Sequence, residues 1–231
     1  FVALGGPIAA GESPCHIAVD PGGSWLLASC WSDGRVVRFP LDAAGRLGKA
    51  SVAPEAVDPW GDPFAESQLP DLGAAADADL AAASRALQQA VGDEFAHLIP
   101  DYSPPELELE LESAVELAPG DRISHAHESV LLPNGLVATI DMGFDLVRFW
   151  RPVDGGLKLR QQVVLPRGSG PRHGVWHPSG HLYVVTELSG EVFALSADAS
   201  GTWAIVGGAP FSPAFVVGVD QAAEICLSRD A

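Results

Sequence analysis

The sequence predicts an all-β protein built from repeated sheet modules, and three observations carry that expectation. Glycine and proline together number 44 of 231 residues. They punctuate short apolar runs instead of gathering in one tract, as in a chain of short strands and tight turns. Three segments then align on a shared Pro-x-Gly turn, and their strands are apolar on both faces. Hydrophobic residues make up 47% of the chain, enough for a sizeable core.

The first repeat runs from His16 through Pro21-Gly22-Gly23 into SWLLASCWSDGRVVRFPL. The second runs from His127 through Pro133-Asn134-Gly135 into LVATIDMGFDLVRFW. The third runs from His173 through Pro178-Ser179-Gly180 into HLYVVTELSGEVFAL. Each reads as a strand, a tight turn, a second strand, a polar or glycine turn and a third strand. A fourth copy is expected to start at Ala223, with Arg229 in the proline slot.

Pro133 and Pro178 stand 45 residues apart. A unit of three or four short antiparallel strands cannot bury both faces alone, and repetition at this period stacks neighbouring sheets around an axis. That is a β-propeller, here an incomplete set of about three to four blades. An ordinary β-sandwich is the alternative, and the turn recurring at fixed phase argues against it.

Pro21 and Pro133 lie 112 residues apart, too far for one blade, and the surplus is acidic. Of 30 acidic residues, 16 fall between Ala53 and Asp121, with Arg85 as the single base there. That stretch carries −15 of the net −17, and the remainder is nearly balanced. Within it Leu72, Ala76, Leu80, Ala83, Leu87, Val91 and Phe95 recur at helical spacing in an alanine-rich context. Glu106 to Glu112 then alternates Glu and Leu, the period of a half-buried strand. The expectation is one domain over 1–231, with a helix-plus-strand insertion at about 53–121.

The charge pattern narrows the partners. No Lys/Arg cluster exists, which argues against nucleic acid and anionic membranes. No run of about 18 apolar residues is present for a transmembrane helix, and no basic–apolar–small pattern opens the chain. The three cysteines, Cys15, Cys30 and Cys226, lack metal-ligand spacing and read as buried, reduced thiols of a cytoplasmic protein.

Two motifs carry chemistry. One is Ser124-His125-Ala126-His127 followed by Asp141-Met142-Gly143-Phe144-Asp145; the other is Gly168-Ser169-Gly170-Pro171-Arg172-His173 followed by Tyr183-Val184-Val185-Thr186-Glu187-Leu188. Ser13 to Pro21 supplies a preceding blade start. Together these resemble, in the same order, the signatures of the seven-bladed propeller lactonases. That family includes bacterial 6-phosphogluconolactonases and fungal carboxymuconate-lactonising enzymes. The resemblance covers residues 12–49 and 122–195; Thr186 replaces the family's usual Asn, and Ser29-Cys30-Trp31 replaces Ala-Asn-Tyr.

The resemblance implies hydrolysis of a sugar-acid lactone, most directly 6-phosphogluconolactone to 6-phosphogluconate, within carbohydrate metabolism. A carboxymuconate cycloisomerase is the alternative within the enzymes, and a non-catalytic binding propeller the alternative outside them. It also implies a site at His127, Arg172 and Glu187. A carboxylate or imidazole can take a proton from water near neutral pH. A guanidinium can grip an anionic substrate or a developing oxyanion. Glu187 is the expected general base, Arg172 the anion binder and His127 the acid–base partner, with His125 and His173 lining or orienting the site. No metal or cofactor is expected.

His16 reads as a turn-packing residue, and Asp141 and Asp145 as braces of turns and loops. Gly168 to Pro171 lacks a phosphate-loop lysine and reads as a blade-to-blade connection. The chain opens at Phe1 and holds a single methionine, Met142. It is expected to be a fragment, since an Arg that the family carries after the strand resembling Ala223–Ser228 would lie beyond Ala231.

Overall fold

The computed structural model describes residues 5–61 and 122–228. Among them twelve strands form three antiparallel sheets, each a four-stranded meander in chain order. The first blade holds β1 (Pro14–Val19), β2 (Trp25–Cys30), β3 (Val36–Pro40) and β4 (Ser51–Val52). The second holds β5 (Ala126–Leu131), β6 (Val137–Asp141), β7 (Leu146–Val153) and β8 (Gly156–Val164). The third holds β9 (Pro171–His177), β10 (His181–Thr186), β11 (Glu191–Ala197) and β12 (Trp203–Pro210). These are three blades of a β-propeller.

The shared turn is the local cause of the repeat. Gly23, Gly135 and Gly180 stand at positive φ, 67°, 73° and 92°, where a side chain would be strained. Each donates its N–H back across the turn, to Asp20, Leu132 and His177 respectively. The fourth strands went unseen in the sequence because they are outer edges. β8 is interrupted by exposed Lys158 and Arg160, and β4 is only two residues long; β12 opens on the apolar run Trp203 to Val206 but is exposed along almost its whole length.

The blades bury their faces against one another. In β6 and β7, Val137 and Trp150 face the first blade. Ala138, Ile140, Val147 and Phe149 face the third. This is the period-two alternation of a sheet buried on both sides. Phe149 and Trp203 stack across the second interface with ring centroids 4.2 Å apart. At the outer edge the Gln161 amide clasps both backbone groups of Trp203: Nε2 donates to its carbonyl at 2.6 Å, and its N–H donates to Oε1 at 2.8 Å. Between the first two blades, Arg38 Nη1 donates to the Val153 carbonyl at 2.7 Å, and the Ser29 and Ser129 hydroxyls meet at 2.9 Å.

β1, β5 and β9 are neighbours at the inner edge, while β8 lies beside both β4 and β12 at the outer edge. The expected fourth repeat is not a strand over Ala223–Ser228. Each inner strand pairs with the strand that follows it in its own blade, whereas Ala223–Ser228 has no ladder partner among the described residues. The described residues hold no helix, and none long and apolar enough to cross a membrane. The helix expected over 72–95 and the strand over 106–112 lie outside the described residues.

Candidate active site

The three inner strands share one irregularity. The ladder slips between Pro14 and His16, between Ala126 and Glu128, and between Pro171 and His173. Cys15, His127 and Arg172 are therefore the bulged residues of their blades, each without a cross-strand partner. A bulge bends the strand and re-aims the side chain it carries. The ladder also makes His16, Glu128 and His173 equivalent, because they pair with Ser29, Ile140 and Val185 at matching positions.

Arg172 Nη1 donates to Glu187 Oε2 at 2.7 Å, with the two side chains 27% and 13% exposed. Glu187 sits in the turn after β10, and its N–H is anchored on the Gly170 carbonyl at 2.8 Å. The ion pair is thus built within one blade, between a strand bulge and the turn that faces it. His127 comes from the neighbouring blade. Its ring lies edge-on to His173, with centroids 4.8 Å apart.

His127 is buried, and its Nδ1 has no hydrogen-bond partner. Its pKa is held down to about 4, first by burial and then by the charges of His173, Arg172 and His16. Near neutral pH it is an uncharged imidazole.

His173 Nδ1 lies 3.0 Å from Glu224 Oε1. His125 stands apart. Its ring stacks on Trp31 at 4.2 Å, and its Nδ1 donates to the Trp31 carbonyl at 2.7 Å. It reaches the others only through Trp31, whose ring meets His127 edge-on at 5.5 Å. The structure therefore pairs Arg172 with Glu187 and His127 with His173, and leaves His125 behind the Trp31 ring.

His16 is not confined to turn packing. It lies within β1, its Nδ1 accepts the Ser129 N–H at 3.4 Å, and its Nε2 is 3.6 Å from Glu128 Oε1. Of the three expected buried thiols only Cys30 is buried, whereas Cys15 and Cys226 are exposed. Burial nonetheless raises the Cys15 thiol pKa, and its Sγ donates to the His127 carbonyl at 3.3 Å.

Asp141 and Asp145 do brace the surroundings. Asp141 Oδ1 accepts the N–H groups of His125, Gly143 and Phe144 at 2.9–3.1 Å. Asp145 accepts the N–H groups of Gly168 and Gly170, each at 2.9 Å, and pairs with Arg122. Gly168 to Gly170 is the connection between β8 and β9. A groove of about 320 Å³ between the first two blades, lined among others by Asp33, Arg35, Arg122 and Phe144, contains none of the proposed site residues. Among the described residues no His, Cys, Asp and Glu side chains gather as a metal requires.

Cys15, Glu128 and Trp31 were not singled out as site residues from the sequence. The matching order of the three inner strands was the available signal, and the bulge had to be known to read it.

The geometry can be set beside known proteins. The profile of the family described as "Lactonase, 7-bladed beta-propeller" matches residues 106–231, more than half of the chain. A 6-phosphogluconolactonase of Bacillus subtilis is 25% identical over 187 residues, covering 80% of this chain and 38% of that protein. A solved protein of Lactobacillus plantarum superposes with a TM-score of 0.61 at 21% identity, over 94% of this chain and 48% of that one. The periplasmic gluconolactonase of Pseudomonas aeruginosa superposes with a TM-score of 0.56 at 18% identity, over 94% and 47%. The chain thus spans about half or less of the length of these relatives. Repeat, blade architecture and family profile agree, and the chain belongs to the family of lactonases built as seven-bladed β-propellers.

Proposed function

We propose that the intact protein opens the ring of an anionic sugar-acid lactone, most directly 6-phosphogluconolactone to 6-phosphogluconate. The observation that supports it is the Arg172–Glu187 ion pair beside the buried, uncharged His127 on adjacent inner strands. A phosphorylated substrate would place the activity in the cytoplasm.

The chemistry follows from these groups. Arg172 engages the anionic end of the substrate or the oxygen that becomes negative, with the two-pronged geometry of a guanidinium. Glu187 takes a proton from a water as that water attacks the lactone carbonyl carbon. The tetrahedral intermediate collapses and the ring C–O bond breaks. The departing alkoxide receives the proton that Glu187 took from water, relayed by His127, which accepts a proton on one ring nitrogen as it releases the N–H proton from the other. Glu187 is then a carboxylate again, His127 is neutral throughout, and atoms and charge balance. A neutral imidazole suits this relay because it carries one N–H to give and one lone pair to fill. Acid–base assistance of this kind is worth about 10²–10⁴ in rate.

The test is ring opening of 6-phosphogluconolactone by the full-length protein, read above the spontaneous rate. Glu187→Gln should lower kcat/KM by about 10²-fold or more. Wild-type activity in that variant removes Glu187 from the mechanism. A full-length protein inert towards this lactone, but active on a carboxymuconate, moves the reading to the cycloisomerase. A protein inert towards both ends the enzymatic reading.

A further inference from the structure

The equivalent positions of successive inner strands are His16, Glu128 and His173, and Glu224, from the segment after β12, reaches His173. Imidazole and carboxylate therefore alternate along the inner edge. The contacts follow the alternation. His16 Nε2 approaches Glu128 Oε1 at 3.6 Å, and His173 Nδ1 approaches Glu224 Oε1 at 3.0 Å.

Glu128 does more than its neighbours. Its other oxygen, Oε2, accepts the backbone N–H of Gly174 in the third blade at 2.5 Å. One carboxylate from β5 thus touches β1 on one side and β9 on the other. Gly174 admits this close approach because it has no side chain: a Cβ there would stand 2.9 Å from Ile140 Cδ1 and 3.1 Å from the Tyr183 carbonyl. Gly174 is two residues beyond the bulged Arg172, and Glu128 directly follows the bulged His127. The hydrogen bond between them spans the gap between the two strands that carry the proposed site. The Glu128 side chain is only 13% exposed. Desolvation raises its pKa, and the Gly174 hydrogen bond opposes that rise.

We propose that Glu128 is a positioning residue: by holding Gly174 and His16 together, it sets Arg172 of the third blade against His127 of the second. A group that fixes reacting side chains acts through distance, and a misplacement of about 1 Å can cost about 10²-fold in rate. The kinetic consequence rests on the lactonase reading; the structural one does not.

The experiment uses the full-length protein with Glu128→Ala and Glu128→Gln, and two readouts. The first is amide hydrogen exchange at Gly174. Exchange should speed up about tenfold or more in Glu128→Ala, where the acceptor is lost, and stay near wild type in Glu128→Gln, whose amide oxygen can still accept. The second is hydrolysis of 6-phosphogluconolactone. Glu128→Ala should lose about 10–100-fold, mainly in kcat, and Glu128→Gln should recover to within about threefold of wild type. Unchanged Gly174 exchange in Glu128→Ala overturns the proposal whatever the enzyme does. So does a Glu128→Gln variant as impaired as Glu128→Ala, since charge rather than position would then be the cause. Should Glu128→Ala not fold, a Glu128→Gln protein that folds and keeps both Gly174 protection and turnover sustains the proposal, and one that folds and loses either refutes it. A wild type without lactonase activity ends the reading of function, while the exchange measurement still decides the clamp.

Discussion

Arg172 and Glu187 form their ion pair at 2.7 Å within a single blade, Arg172 from the β9 bulge and Glu187 from the turn after β10. Because one module builds the pair, its geometry does not depend on how that blade docks on the next. Replacing Arg172 by Lys keeps the charge and loses the planar fork. KM for an anionic lactone should rise about tenfold or more in the full-length protein, equivalent to about 1.4 kcal/mol of binding. Steady-state kinetics of R172K checks this, and an unchanged KM would show that Arg172 does not hold the substrate.

The depressed pKa of His127 has a consequence for stability. Its folded value of about 4 lies below the ordinary 6.5, so the unfolded chain binds its proton first as pH falls. The stabilisation is complete above pH 6.5 and is lost as the solution is acidified towards pH 4. His16, also lowered, acts in the same direction, while Glu128, raised, acts with the opposite sign as pH climbs past its ordinary 4.5. Urea midpoints between pH 7 and 4 should therefore fall less steeply in H127Q than in wild type. Parallel curves would mean that His127 titrates normally in the folded protein.

Asp145 is a heavily committed carboxylate near the site. It is 1% exposed, pairs with Arg122 and anchors the Gly168 and Gly170 amides of the β8–β9 connection. Asp145→Ala leaves the Gly168 and Gly170 amides unpaired and Arg122 with only Asp58 and the Gly143 carbonyl, and should cost about 2–3 kcal/mol. Asp145→Asn, which still offers an oxygen to the amides, should cost less. Equilibrium unfolding of both variants tests the order.

The second blade interface turns on Trp203. Its ring is 4% exposed and stacks on Phe149, and its backbone is clasped by Gln161. Trp203→Ala should destabilise by about 3–5 kcal/mol through the cavity it leaves. Gln161→Ala removes only the clasp and should cost about 1–2 kcal/mol. A Trp203→Ala protein as stable as wild type would show that the interface is not packed as described.

Much of the architecture was legible in the sequence. Pro21, Pro133 and Pro178, each followed two residues later by a glycine that must take positive φ, set the phase of the repeat. The Arg172–Glu187 contact was carried by the family resemblance, since 15 residues separate the partners and a turn lies between them. The equivalence of the inner strands was misread for a definable reason. Counted back from the proline, His16 and His173 stand five residues away and His127 six, so aligning the first histidine of each repeat hides the bulge. The ladder aligns Glu128 instead, which is how its role escaped notice. The Trp31–His125 stack joins side chains 94 positions apart and has no local signal. Two outer strands carry little signal: β8 is interrupted by Lys158 and Arg160, and β4 spans only two residues.

A bulged residue makes no cross-strand pair, so Cys15, His127 and Arg172 can be exchanged without disturbing a side-chain pair of the ladder. Each module then offers one socket whose occupant is free to vary while the surrounding lattice keeps its shape. A thiol, an imidazole and a guanidinium already fill three such sockets in this chain. New chemistry can be introduced one socket at a time, and the scaffold need not be rebuilt for any of it.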